Sequence, residues 1–339
     1  MTPPRRATAA DVARSVGVSR ATVGYVLNDT PGQTISATTR DKVIETARTL
    51  GYRPRAAAQA LATGRTHLVL LVLPDWPQDY SVRRYIEEAT LVLDEGGYTL
   101  VTWAPHTTGK TRPLWQQLDP DVVVGFAPFS ESDVASMRQH GIRAIFPDAS
   151  DTLASADTAE QAGTHGPELQ VEHLHELGHR RIAIASTSDP RLAVLAQQRA
   201  DVAARTAAAC GMVCLSSCDV DRPDLDRASL VSDWVADGVT GVVAYNDEIA
   251  ALVVGAALTA GLRIPEQLSV VGHDDSPLAS LFVPSLTSVR LDGAALGRLI
   301  ADLILAKLDG RRLTRVPTGA FETLIPRHST SRTGLLRDR

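Results

Sequence analysis

From residue 66 onward the chain alternates short aliphatic runs with longer amphipathic stretches, and this alternation predicts most of the architecture. The run HLVLLVLP has no polar position between His67 and Pro74, as expected of a strand buried on both faces. SVRRYIEEATLVLDEGG behind it has helical spacing. TLVTWAP, DVVVGFAP and IRAIFPD supply further strands, separated between Trp103 and Val122 by a short polar stretch. The pattern restarts at RRIAIAS and continues through a helix from about Ala193 to Cys210. It then runs through GVVAYND, the helix IAALVVGAALTAG, LSVVGHDD and PSLTSVRLD. Strands alternating with helices imply parallel sheets in doubly wound folds, and two such series imply two lobes with a cleft between them.

The first fifty residues follow a different rule. In TAADVARSVGVSRATVGYVLN, Thr8 is placed to cap a helix with Asp11 as its acidic partner, Gly17 suits a tight turn, and Ser19 caps a second helix. Two short helices joined by a glycine turn form a helix-turn-helix, which lays its second helix into a DNA major groove; an ordinary helical hairpin is the alternative. Ser36 caps a third helix, TTRDKVIETARTLG, with Val43, Ile44, Ala47 and Leu50 at helical spacing and Gly51 as its stop. Pro54 then opens the alanine-rich AAAQALATG, whose one large apolar side chain is Leu61. Such a marginal helix suits either a segment that folds only when bound or a plain linker.

Charge sharpens the division. Residues 1–65 hold ten Lys or Arg and four Asp or Glu, a balance of +6, whereas the rest of the chain carries 24 and 35, a balance of −11. A basic head on an acidic body suits a protein that touches phosphate with one end. Arginine supplies 31 of the 34 cationic residues, which favours bidentate contacts to phosphate and guanine. The first residues lack the apolar stretch of a signal peptide and no run is long enough to span a membrane, so a cytoplasmic location is expected. Cys210, Cys214 and Cys218 are read as incidental thiols. His175 and His179 share a helix face without a third ligand, so neither a metal nor any other cofactor is expected.

DVARSVGVSRATVGYVLN, SATTR, LGYRP and the alanine-rich stretch ending in Leu61 resemble the headpiece and hinge of the LacI/GalR family of transcriptional regulators over residues 8–64. The resemblance implies base-reading roles for Arg20, Ala21 and Tyr25. It implies phosphate or backbone contacts from Thr8, Ser19, Thr22, Asn28, Ser36 and Thr39. It places Arg55, Ala58 and Leu61 at the minor groove, Leu61 as the wedge that bends the operator. Gly24 stands where a serine is usual, and Arg55 where an asparagine often follows the hinge proline.

VEHLHELGHRRIA, the stretch from VVAYND to GHDD, and PSLTSVRLD closely resemble the carboxyl lobe of the same regulators. That likeness places Arg199, Asn246, Asp247 and Asp274 at strand ends or in a helix facing an effector cleft, where they can hydrogen-bond hydroxyl groups. Asp247 has an alternative role, capping a helix that starts at Glu248. The amino lobe departs from the family: PDWPQDYSV replaces its usual pocket run, with Asp75 and Trp76 as candidate lining residues. The expected whole is an all-α helix-turn-helix headpiece (1–53), a hinge helix and linker (54–65), and an α/β effector-binding and dimerisation body (66–339). The body comprises two doubly wound parallel-sheet lobes like those of a periplasmic binding protein. The amino lobe spans about 66–165 and 292–323, the carboxyl lobe about 166–291 and 324–330. The resemblance implies a homodimeric repressor whose partners are double-stranded operator DNA and a small-molecule effector, a sugar by default, with no membrane partner. A two-lobed solute-binding protein without a DNA role is the alternative, and no catalytic constellation argues for an enzyme.

Overall fold

The computed structural model describes residues 7–28, 32–52, 64–77, 79–105, 111–126, 128–147, 165–311 and 321–333. They form two compact units, Met1–His67 and Leu68–Arg339. The hinge expectations at Arg55, Ala58 and Leu61 lie outside the described residues.

In the first unit, α1 (Ala9–Val16), α2 (Arg20–Leu27) and α3 (Ala37–Thr49) close over Val12, Ala13, Val23, Val26, Val43 and Ala47. Each helix starts as its sequence dictates. Thr8 and Asp11 form a reciprocal capping box, Ser19 accepts from Thr22 N at 3.0 Å, and Ser36 accepts from Thr39 N at 3.2 Å. Gly17 takes φ 78°, the left-handed conformation that lets α1 end and the turn begin.

The second unit contains two sheets of unequal size. Strands β1 (Leu68–Val72), β2 (Thr99–Trp103), β3 (Val122–Gly125) and β4 (Ala144–Phe146) form an all-parallel sheet in the order β2-β1-β3-β4. One face packs on α4 (Tyr80–Glu95). The other face buries Leu70 and Val123 against Trp115 and Met137, which belong to α5 (Trp115–Leu118) and α6 (Glu131–Gln139). The stretch between Trp103 and Val122 is therefore not merely polar, since Trp115 is buried and its ring meets Trp103 edge-on at 5.5 Å.

The larger sheet runs β11-β10-β9-β8-β5-β6, with β7 beside β5, and its core strands are β5 (Arg181–Ser186), β8 (Gly241–Ala244), β9 (Ser269–His273) and β10 (Thr287–Leu291). Two short edge strands, β6 (Val213–Cys214) and β7 (Cys218–Asp219), hold two of the three cysteines. Alternate residues face opposite layers. Ala183, Val242 and Val270 pack with α9 (Arg227–Ala236) and α10 (Asp247–Thr259), while Ile182, Val243 and Val271 pack with α7 (His165–Glu176) and α8 (Ala193–Ala209). The last strand, β11 (Glu322–Ile325), pairs antiparallel with β10, so the sheet is mixed rather than wholly parallel.

Each lobe is completed by chain from the far end of the sequence. Helix α11 (Gly293–Leu308) lies so tightly on α4 that a Cβ at Gly293 or Gly297 would meet the backbone carbonyls of Ser81 or Tyr85. Beyond β11 the chain straps the larger sheet, where Ser329 Oγ donates to Val270 O at 2.6 Å and accepts from Thr287 N at 2.8 Å.

Candidate functional site

The headpiece presents one uncommitted helix face. At about 100° per residue, Arg20, Gly24, Ala21 and Tyr25 fall within a sector of roughly 140° on α2, opposite the buried Val23 and Val26. Arg20 and Ala21 are exposed and Tyr25 is 39 % exposed, although a tyrosine packed in a core would be covered. A Cβ on Gly24 would meet nothing within 4 Å, so no packing demand explains a helix-interior glycine there. Two Ser–Thr pairs repeat one geometry at the helix starts: Ser19 and Thr22 hydroxyls lie 2.9 Å apart, as do those of Ser36 and Thr39. Helix N-termini of this kind gather hydroxyl and backbone N–H donors suited to phosphate. Thr8 is committed differently, its hydroxyl donating to Asp11 Oδ2 at 2.7 Å, and Asn28 forms the carboxyl cap of α2.

In the body, Arg199 on α8 and Asp274 just past β9 come together although 75 positions separate them. Both are nearly buried. Arg199 donates to Tyr245 O at 2.8 Å, lies over the Tyr245 ring at 4.8 Å, and pairs with Asp274 Oδ1 at 3.6 Å. Asp274 and Asp275 take φ values of 91° and 44°, a left-handed pair without glycine that stores backbone strain at the strand end. Tyr245 sits among Arg199, Asp274, Asp79 and Asp189, and burial pushes its phenol up to about 12. Asp79 comes from the amino lobe, where it caps α4 through Val82 N at 2.8 Å. Desolvation and the Asp274 charge raise its carboxyl above the usual range, so Asp79, exposed at the start of α4, lies within electrostatic reach of the Arg199–Asp274 pair.

The remaining candidates separate. Trp76 forms the amino-lobe wall with its ring 6.3 Å from Phe126, which in turn meets Tyr85 at 5.1 Å. Asp75 is half-buried after β1, within electrostatic reach of Arg191, whose guanidinium is engaged by Asp189 at 2.6 Å. Asn246, not Asp247, caps α10: its side chain accepts from Ile249 N at 2.9 Å, and the helix begins at Asp247 rather than Glu248. Asp247 is buried with both carboxylate oxygens occupied, Oδ2 by Ser276 N at 2.6 Å and Oδ1 by Ser288 Oγ at 2.6 Å. It holds the strained Asp274–Asp275 turn from behind instead of presenting its oxygens to the cleft.

Sequence reasoning passed over Asp79, Tyr245, His273 and Glu322. Asp79 and Tyr245 carried a signal, since one precedes a helical run and the other ends a strand. His273 looked like one more buried strand residue. Glu322 had no signal, because its partners lie at His165 and His273.

Two family profiles match the chain: "Bacterial regulatory proteins, lacI family" over residues 8–55 and "Periplasmic binding protein-like domain" over residues 171–330. The transcriptional regulator MalR of Streptomyces coelicolor is 30% identical over 346 residues, covering 95% of this chain and 96% of that protein. GalR of Escherichia coli K12 is 28% identical over 340 residues and covers 96% of each. Among solved structures, the Lac repressor dimer bound to operator and the anti-inducer ONPF aligns with a TM-score of 0.75 at 23% identity, over 96% of this chain and 100% of that one. A three-helix DNA-reading headpiece ahead of a two-lobed, periplasmic-binding-protein-like body defines a DNA-binding transcriptional regulator. The chain belongs to the LacI family of bacterial regulatory proteins. Its relatives are regulators of transcription rather than enzymes.

Burial raises the Asp247 carboxyl to about 6, against the opposing hydrogen bonds from Ser288 and Ser276. A folded pKa above the unfolded value of 3.8 means that protonation favours the folded state. Its contribution is complete below 3.8 and is lost as pH rises through about 6. Asp247→Asn keeps an acceptor for Ser276 N and removes the buried charge. Its stability relative to the parent is therefore expected to be greater at about pH 7.5 than at about pH 4.5, read from urea midpoints. A difference that does not change with pH would show that Asp247 is ionised in both states alike.

Proposed function

We propose that the protein is a repressor that binds a near-palindromic operator as a homodimer, and that a small uncharged polyhydroxyl effector, held between the lobes, changes that affinity. The observation that carries the DNA half is the α2 face of Arg20, Ala21, Gly24 and Tyr25, left open while its opposite face closes the headpiece core. Arg20, one residue past the cap, reaches the guanine edge with two donors, and Tyr25 lies a turn further on, against a base edge or thymine methyl. Thr8, Ser19, Thr22, Asn28, Ser36 and Thr39 contact the backbone. We assign residues 1–53 to the headpiece, 54–65 to a hinge in which Arg55, Ala58 and Leu61 enter the minor groove, and 66–339 to the effector and dimerisation body. The role is regulatory rather than catalytic, exercised in the cytoplasm where the DNA is.

The charges of the cleft set the effector class. Asp75, Asp79, Asp189 and Asp274 outnumber Arg191 and Arg199, and each arginine already has a carboxylate partner. An anionic ligand would meet carboxylates, whereas hydroxyl groups find acceptors at Asp274 and Asp79, donors on Arg199, and the Trp76 wall for their apolar face. A solved structure of the same fold, the regulator CelR, is a complex with cellobiose, a ligand of that class. Asn246 lies at the same strand end, beside Asp247.

A dimer surface is supported by apolar side chains on the larger lobe. Leu281 is 74 % exposed and Val283 85 %, next to half-exposed Leu278, in the segment that follows the Asp274–Asp275 turn. On α10, Leu258 is also exposed beside Gly255, where a Cβ would meet open space.

Three outcomes test this reading. Selection of binding sites from random duplex DNA is expected to return a near-palindrome for the parent. Arg20→Ala should lose about 1–3 kcal/mol of specific affinity and relax one base pair in each half-site. The same consensus from both proteins would remove Arg20 from base reading. In a thermal-shift panel, neutral mono- and disaccharides are expected to include ligands that raise Tm for the parent but not for Asp274→Ala. A stabilising ligand that is anionic, or indifferent to Asp274, would overturn the effector class. Leu281→Asp should sediment as a monomer at concentrations where the parent is dimeric, and a dimer of parental strength would place the interface elsewhere.

A further inference from the structure

Behind the cleft lies a buried chain of charged groups that DNA binding and ligand contact leave unexplained. His273, the last residue of β9, is 0 % exposed. Its Nδ1 lies 2.7 Å from Asp274 Oδ1, and its Nε2 lies 3.5 Å from Oε1 of Glu322, the first residue of β11. The other Glu322 oxygen accepts from the backbone N–H of His165 at 3.1 Å, where α7 begins. Next to Glu322, Phe321 O accepts from Asp292 N at 2.8 Å, just before α11. Glu322 therefore sits where the chain leaves the smaller lobe for the larger, tied to the start of α7, while His273 joins it to the cleft floor. Gly166 makes room for this, since a Cβ there would run into His273 Nε2.

The geometry constrains the protons. With Nδ1–H donating to Asp274, a neutral ring would point the bare Nε2 lone pair at a buried carboxylate, leaving both groups unsatisfied. Among the described residues neither Nε2 of His273 nor Oε1 of Glu322 has a hydrogen-bond partner at present separation. The charged groups facing the ring are Asp274 after β9, Glu322 on β11, Arg199 on α8 and Asp79 at the start of α4. Three are carboxyl groups against one guanidinium. Burial and Arg199 oppose the imidazolium, yet Asp274 and Glu322 outweigh them and hold its pKa above the ordinary 6.5.

We propose that His273 is a proton-held latch between the effector cleft and the interlobe crossover. Protonated on both nitrogens, it bridges Asp274 to Glu322. When Nε2 gives its proton to solvent, the Glu322 side is released and with it the anchor of His165. Because the folded pKa exceeds the unfolded one, the latch contributes fully below pH 6.5 and is lost as pH rises through the higher value. Its consequence, that an effector displacing Asp274 acts on the crossover through the same ring, rests on the effector reading above. The latch itself does not.

The test uses the full chain without DNA or ligand, labelled with nitrogen-15 at histidine and titrated from pH 5.5 to 9. The imidazole signal that vanishes in His273→Gln is expected to stay doubly protonated above the ordinary histidine pKa, and to fall back in Glu322→Gln. Hydrogen exchange of the segment beginning at His165 is expected to accelerate beyond its intrinsic pH dependence across that same titration, in the parent but not in His273→Gln. A ring already neutral at pH 6.5, or exchange that follows intrinsic rates throughout, overturns the latch. If the variants do not fold, the parent's exchange profile decides alone, a profile without a step sinking the idea. Loss of the effector reading would leave every one of these readouts unchanged.

Discussion

A carboxylate taken from water needs compensating charge and donors, and Asp274 is the place where this protein meets that demand. Arg199 on α8 and the His273 imidazole supply the compensation. Arg199 in turn stacks on Tyr245 and holds its carbonyl, while His273 draws in Glu322. The neighbouring Asp275 is clamped by Arg290 at 2.7 Å and Arg327 at 2.5 Å, and Asp247 holds Ser276 from below. The strained turn and the cleft floor thus both depend on how one buried acid is neutralised. Removing a single partner would leave the others as uncompensated buried groups, which is costlier than losing the contact itself.

The headpiece solves a different problem with few means. A core of four valines and two alanines, flanked by partly buried aliphatics, leaves little margin, so capping carries an unusual share of the stability. The same hydroxyls that start α2 and α3 are the ones proposed to meet phosphate. On the proposed reading, folding and DNA contact draw on one set of groups, with Arg20 and Tyr25 left on the exposed side of α2.

Local chemistry was legible in the sequence and remote chemistry was not. Thr8, Ser19 and Ser36 announce their helices because a cap acts over three residues, and the aliphatic runs announce β1, β5, β8 and β9 because burial on both faces excludes polar positions. Family likeness put Arg199 and Asp274 at one cleft, but nothing in the sequence announced that they pair. The cap of α10 was misplaced by one residue, since Asn246 and Asp247 are both able to cap and only the turn around Ser276 decides which is needed elsewhere. Glu322 could not be read at all. Its role depends on partners 157 and 49 positions away, and in the sequence it is one acid beside a strand. Trp115 was hidden in the same way, by polar neighbours around one buried ring.

The discontinuity of the two lobes has a bearing on how the chain is made. The smaller lobe lacks α11 until residue 308 has been synthesised, and the larger sheet lacks β11 and its Ser329 strap until residue 329 has been made. Neither lobe can reach its final packing before those residues emerge, and the aliphatic strands β1 and β3 must wait with one flank uncovered. The headpiece is a compact unit whose three helices close over their own small core, and it is free to fold as soon as it emerges. Nascent chains would then carry a finished reading head on an unfinished body, a window in which chaperones rather than the effector govern what the protein does.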